Sequence, residues 1–170
     1  MTAFAAPVPI RPILVGFAVG LAAILGAWAF QIIGGFVPCA LCLQQRIPYY
    51  VGLPLLMAAA LLARVSPPLA RLLALAAAAA FATGAGLGIY QAGAEWGWWA
   101  GPSDCGGGVG PVVDANDLLA QMQATRLVSC TEASIRILGL SFAGWNVLAS
   151  AFVALAALAA AVLGGRRRAA

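Results

Sequence analysis

The chain has 170 residues, of which 64% are hydrophobic and 8% charged, with a mean hydropathy of +0.99. Those values exclude a water-soluble domain, which carries about a quarter of its residues as charges, and a chain this short has too little interior to hide so much apolar surface. The net charge of +4 comes from nine basic residues, all arginine, against five acids; so sparse a charge set reads as a membrane-orientation signal, with no nucleic-acid footprint.

A transmembrane helix takes about 20 apolar residues. The sequence predicts four, over about 13–33, 41–63, 72–91 and 142–163, in a single membrane domain covering 1–170. The fold class expected is an all-α integral membrane protein, a four-helix transmembrane bundle. The first span carries Gly16 and Gly20, a small-residue pair that lets helices approach closely. A cleaved secretory signal over Ile13–Phe30, ending near Ala29, is a rival reading; the run is longer than a usual signal core, and cleavage would leave three spans.

An outer loop over about 34–40 follows, and across its junction with the second span runs Cys39-Ala40-Leu41-Cys42, the CxxC spacing at which two thiols can close a small ring. The second span contains Pro48 and Pro54 and reaches full length only if its helix begins near Leu41. Cys42, Gln45, Arg46 and Tyr49 then fall at i, i+3, i+4 and i+7, a single stripe at the membrane boundary. A guanidinium there either favours Cys42 as thiolate or snorkels its charge among headgroups. Pro48 would leave the Gln44 carbonyl without its partner, so the stripe is expected to kink.

The third span brings a second pair, Gly84 and Gly88, and just past its outer end Trp96, Trp98 and Trp99 follow Glu95 as an interfacial aromatic belt. The outer loop over about 92–141 then places Cys105 before a glycine-rich run. From Asp114, DANDLLAQMQATRL reads as a short amphipathic helix lying on the membrane surface, returning Cys130 toward the first loop. Arg11, Arg64, Arg71 and Arg166 to Arg168 share one side of this topology, against Arg46, Arg126 and Arg136 with all five acids on the other. Both termini are therefore expected in the cytoplasm, with all four cysteines outside, where disulfides are permitted.

With no histidine in the chain, sulfur is its obvious reactive chemistry. A zinc site would want two close cysteine pairs or histidine, so no metal is expected. Haem attachment fails because Leu43 follows Cys42. A non-catalytic four-span scaffold with two structural disulfides is the alternative, although such a bridge needs neither a glycine hinge beside Cys105 nor an arginine one turn from Cys42.

Trp28-Ala-Phe-Gln31, Val37-Pro38-Cys39-Ala-Leu-Cys42-Leu-Gln-Gln-Arg46, Gly101-Pro102-Ser103-Asp104-Cys105 and Gly139-Leu-Ser-Phe-Ala-Gly144-Trp145-Asn146 closely resemble the disulfide bond formation protein B family over nearly the whole chain. The cysteine order is specific, since in vitamin K epoxide reductase-like proteins the loop pair precedes the CxxC. The resemblance implies a thiol:quinone oxidoreductase of the bacterial inner membrane. Such an enzyme reoxidises a periplasmic thioredoxin-fold dithiol oxidase and passes the electrons to ubiquinone or menaquinone. It implies that Cys105 meets that partner, that Cys130 is released and attacks Cys39, and that the Cys42 thiolate faces the quinone. Arg46 would hold the quinone or stabilise charge developing on it, and Gln31, Tyr49 and Gln91 would shape its pocket. One departure is plain: relatives often carry a histidine near the outer end of the third span, where this chain has Tyr90-Gln91-Ala-Gly-Ala-Glu95. Proton delivery then falls to Glu95 or water.

Overall fold

A computed structural model of the protein describes residues 8–101, 126–127, 133 and 135–166. In chain order its elements are α1 (Ile10–Ile32), β1 (Phe36–Val37), α2 (Ala40–Gln44), α3 (Ile47–Leu62), α4 (Pro67–Glu95), β2 (Arg126–Leu127), β3 (Arg136–Ile137), β4 (Leu140–Ser141) and α5 (Phe142–Arg166). Helices α1, α4 and α5 are each long and apolar enough to cross a membrane, and α3 adds 16 residues beside them.

The bundle closes as a ring in which α1 packs on α3 and α5, and α4 packs on the same two, most extensively on α5. The inward stripe of α4 runs Ala70, Ala74, Ala77, Phe81, Gly84, Gly88 and Gln91, and that of α5 runs Ala143, Ser150, Val153, Ala157 and Ala160. Steps of three and four residues keep a seam facing its neighbour at a shallow crossing angle, and small side chains let the backbones come close. Large apolar groups point the other way. Leu14, Leu25, Leu61, Leu72, Leu155 and Phe152 are exposed, as suits a lipid-facing surface, because lipid offers no penalty for leucine. A side chain on Gly20 would meet Leu53, Phe81 and Val153 from three helices, so this glycine marks the bundle axis.

The helix expected from Leu41 is divided. α2 stops at Gln44, Gln45 and Arg46 form a turn, and α3 restarts at Ile47. The cause is Pro48: as the second residue of α3 its missing N–H needs no partner, whereas in one continuous helix it would have orphaned the Gln44 carbonyl. α4 extends beyond the expected 72–91 at both ends. Pro67 and Pro68 start it, and a Schellman cap ends it, with Trp98 N–H bonded to Gly93 O (2.9 Å) and Gly97 N–H to Ala94 O (3.1 Å). Gly97 takes the left-handed conformation this cap requires, at φ +73°. Beyond the cap, Trp99 turns back and donates from Nε1 to the Tyr90 carbonyl at 2.8 Å.

Two short strand pairs frame the outer end. β1 runs parallel to β2, pairing Phe36 with Arg126 and Val37 with Leu127. Arg126 and Leu127 were expected as the last residues of the amphipathic helix; they form a strand because β1 offers them backbone partners. The rest of that helix, with Cys105 and Cys130, lies outside the described residues. β3 and β4 form a hairpin across Leu138 and Gly139, both at positive φ (53° and 84°), as the tightest hairpin turn demands. Trp145 Nε1 donates to the Ile137 carbonyl at 3.0 Å and ties this hairpin to α5, whose first turn is capped by Ser141 Oγ accepting from Gly144 N–H at 3.2 Å.

Candidate active site

The CxxC sits on the short helix before the second crossing. Cys39 is the cap of α2: its Sγ accepts from the Cys42 backbone N–H at 3.2 Å and contacts Cys42 Sγ at 2.7 Å. Both are free thiols, Cys39 fully buried and Cys42 half-buried. The contact splits the acidity of the pair. Cys42 is held below the ordinary thiol range, first by the hydrogen bond from Cys39 and then by one from Gln91, against burial and the nearby Glu95 charge. Cys39 is pushed well above it by the same sulfur contact and by burial. Of the two sulfurs, Cys42 is therefore the one that ionises first, with Cys39 as the donor that supports its thiolate.

Cys42 opens on a cavity of about 370 Å³ between the helices, within the ~300–1,000 Å³ of small-molecule sites. Its walls are apolar. Phe30, Phe36 and Phe142 meet edge-to-face there, the Phe30 and Phe142 ring centroids 4.7 Å apart, and Ile135 and Ile137 border it from the hairpin segment. The polar lining is Gln31, Gln45, Arg46, Tyr49, Gln91, Glu95, Ser141 and Asn146. The structure thus brings Cys42, Arg46, Gln31, Tyr49 and Gln91 to one cavity, with Cys39 directly behind Cys42.

Arg46 is buried, 8% exposed, and held against α1: Nη1 donates to Gln31 Oε1, Nη2 to the Ala27 carbonyl at 3.5 Å, and Cζ lies 5.3 Å from the Trp28 ring centroid. Trp28 is itself fixed by a hydrogen bond from Nε1 to Tyr50 Oη at 3.1 Å. These partners are all neutral. Among the described residues no carboxylate pairs with this buried guanidinium, so its charge rests on neutral hydrogen-bond partners and an aromatic face.

Sequence reasoning did not assemble the amides. Tyr49 Oη donates to Asn146 Oδ1 (2.7 Å) and lies 3.0 Å from Ser150 Oγ; Asn146 Nδ2 donates to Gln45 Oε1 (2.6 Å) and to the Gly84 carbonyl (3.3 Å). Gln45 Nε2 donates to Gln91 Oε1, and Gln91 Nε2 reaches both Cys42 Sγ (3.6 Å) and Glu95 Oε1 (3.4 Å). The other carboxylate oxygen, Glu95 Oε2, is buried with no hydrogen-bond partner among the described residues. Asn146 was legible only inside a family motif, and Ser150 gave no signal at all.

A dithiol at the mouth of a helical membrane bundle, with one acidified sulfur facing an apolar, aromatic-walled cavity, is the site of a membrane thiol oxidoreductase. A family model described as disulfide bond formation protein DsbB matches residues 11–160, and the chain belongs to that family. It is accordingly a four-helix membrane bundle and a disulfide-generating oxidoreductase. Neither curated proteins nor solved structures gave a match.

Proposed function

We propose that the protein reoxidises a periplasmic thioredoxin-fold dithiol oxidase by disulfide exchange and delivers the electrons to a quinone, ubiquinone or menaquinone. The observation that carries this reading is the opening of Cys42 onto the aromatic-walled cavity. A quinone is a flat apolar ring with two acceptor oxygens, and the cavity supplies both matching features: phenylalanine faces, and a guanidinium donor from Arg46. Arg46, Gln31, Gln91 and Tyr49 would be the residues that hold it. When bound, a quinone accepts two electrons and two protons. Cys39 and Cys42 release two electrons as their S–S bond forms, together with the Cys39 proton; the second proton is the one Cys42 gave up on ionising and returns from the surroundings, so the exchange balances without another oxidant or reductant. Glu95, whose Oε2 is buried with no hydrogen-bond partner among the described residues, or water would pass protons to the site in place of the imidazole this chain lacks.

The other half of the relay rests on Cys105 and Cys130. Cys105, beside its glycine run, meets the partner, and Cys130 hands the bond to Cys39. Val37 lies two residues before Cys39 in the sequence and Leu127 three before Cys130, and the pairing of Val37 with Leu127 in β1–β2 supports an exchange between the two cysteines. The membrane is the bacterial inner membrane, both termini cytoplasmic and the cysteines periplasmic.

The purified protein should consume ubiquinone or menaquinone when a reduced thioredoxin-fold dithiol protein is added, one quinone per disulfide made, followed by quinone absorbance. Quinone left untouched while the partner stays reduced would return the protein to the scaffold class. Orientation has its own check: in spheroplasts after mild reduction, a membrane-impermeant maleimide should label Cys105 without lysis. Labelling only after lysis reverses the topology and removes the periplasmic partner.

A further inference from the structure

The hydrogen bonds of the amide chain all run in one direction. Its polarity is fixed at the Gly84 carbonyl, which can only accept, so the side of Asn146 facing it must be Nδ2. The same Nδ2 serves Gln45, leaving Oδ1 to accept from Tyr49 Oη and, at 3.2 Å, from Ser150 Oγ. With Gln45 Oε1 committed to Asn146, its Nε2 faces Gln91; with Gln91 Oε1 committed to Gln45, its Nε2 faces Cys42 and Glu95. The Cys42 thiol can also donate to Gln91 Oε1, but over the longer distance of 3.9 Å, and a thiolate loses that bond while keeping the one from Nε2. In the opposite sense, every amide would turn over and a carbonyl oxygen would confront Cys42, opposing a thiolate. Gln45 and Gln91 are buried, 7% and 2% exposed, so water competes weakly for these bonds. A side chain on Gly84 would press on Pro48 and on Ser150 Oγ at 3.2–3.3 Å, which explains why the anchoring carbonyl belongs to a glycine.

We propose that Asn146 is a positioning residue for Cys42: acting through Gln45 and Gln91, it fixes which end of the Gln91 amide meets the sulfur and so sets how readily Cys42 becomes a thiolate. The role rests on the reading of Cys42 as the sulfur through which electrons leave. The charged and titratable groups around Cys42 are Cys39 on its own turn, Arg46 and Tyr49 along the second helix, and Glu95 on α4; α1 and α5 present neutral amides there, Gln31 and Asn146. Among the described residues none of the charged groups lies between Asn146 and Gln91, and the amides are the connecting path.

The test uses the full-length reduced protein, freed of quinone, and follows alkylation of each cysteine by a neutral haloacetamide across pH, resolved by mass spectrometry. Asn146→Leu should raise the midpoint for Cys42 by about one pH unit, as loss of one hydrogen bond to a charged group predicts. Gln91→Leu should raise it at least as far. The double variant should go no further than Gln91→Leu alone, since the link is already cut. An unchanged profile in Asn146→Leu, or shifts that add in the double variant, overturns the proposal. Asn146→Asp keeps the size of the side chain should the leucine variant not fold. Its carboxylate only accepts, so the chain should reverse and the midpoint rise; a rise persisting over Gln91→Leu in the combined variant would mean that the new charge acts directly, and the relay falls. Because quinone is absent throughout, an incorrect acceptor leaves these midpoints unchanged, and the two failures are distinguishable.

Discussion

Cys42→Ser should lower quinone reduction by about three orders of magnitude or more, the scale on which losing an attacking group that no neighbour replaces is felt. The partner should nevertheless still be captured, as a mixed disulfide that resists reduction only until a competing thiol arrives, because capture is assigned to Cys105 in the outer loop. Cys39→Ser should also stop turnover, for a different reason. It leaves the Cys42 sulfur facing the cavity but removes both its disulfide partner and its strongest hydrogen bond, so the alkylation midpoint of Cys42 should move up. The sign follows from the pair: a thiolate that loses a donor is disfavoured, and its thiol holds its proton to higher pH. Rapid-mixing absorbance of the quinone, with non-reducing electrophoresis of the trapped complex, separates the two variants. A Cys42→Ser protein that reduced quinone at an ordinary rate would place the electron exit elsewhere.

Much of this arrangement is legible in the amino-acid sequence. Apolar runs of membrane length announce the helices, and cysteines in a chain without histidine announce sulfur chemistry. Periodicity reads the stripe Cys42, Gln45, Arg46, Tyr49 as one helix face; the four do border one cavity, but the backbone between them breaks, and only Pro48 hints at it. Hydropathy also trims α4, because Arg71 and Glu95 dilute its ends while the proline pair at Pro67 and the cap at Gly97 mark its true limits. The β3–β4 hairpin gives no sequence signal, since Leu138 is an unfavourable residue for a positive φ. The amide chain is hidden for another reason. Tyr49 and Ser150, or Gln45 and Asn146, are 101 residues apart, and neutral amides carry no charge pattern or spacing rule that would join them.

Arg46→Lys should raise the Michaelis constant for quinone about tenfold and lower turnover, while insertion and disulfide exchange with the partner stay normal. Lysine keeps the charge and snorkels as well as arginine, so a headgroup anchor would tolerate the exchange. It cannot keep the geometry. A single ammonium does not reproduce a planar group that donates to Gln31 Oε1 and the Ala27 carbonyl while lying over the Trp28 ring, and one hydrogen bond to a charged group is worth about 1.5–3 kcal/mol, tenfold or more in binding. Gln31→Leu should move the same constant in the same direction, because its carbonyl orients the guanidinium, and combining it with Arg46→Lys should add little. Steady-state quinone reduction at varied quinone concentration reads both variants, with partner trapping as the control for folding. Unchanged quinone kinetics in Arg46→Lys would make this buried cation a membrane anchor and leave the acceptor site resting on Cys42 and the amides beside it.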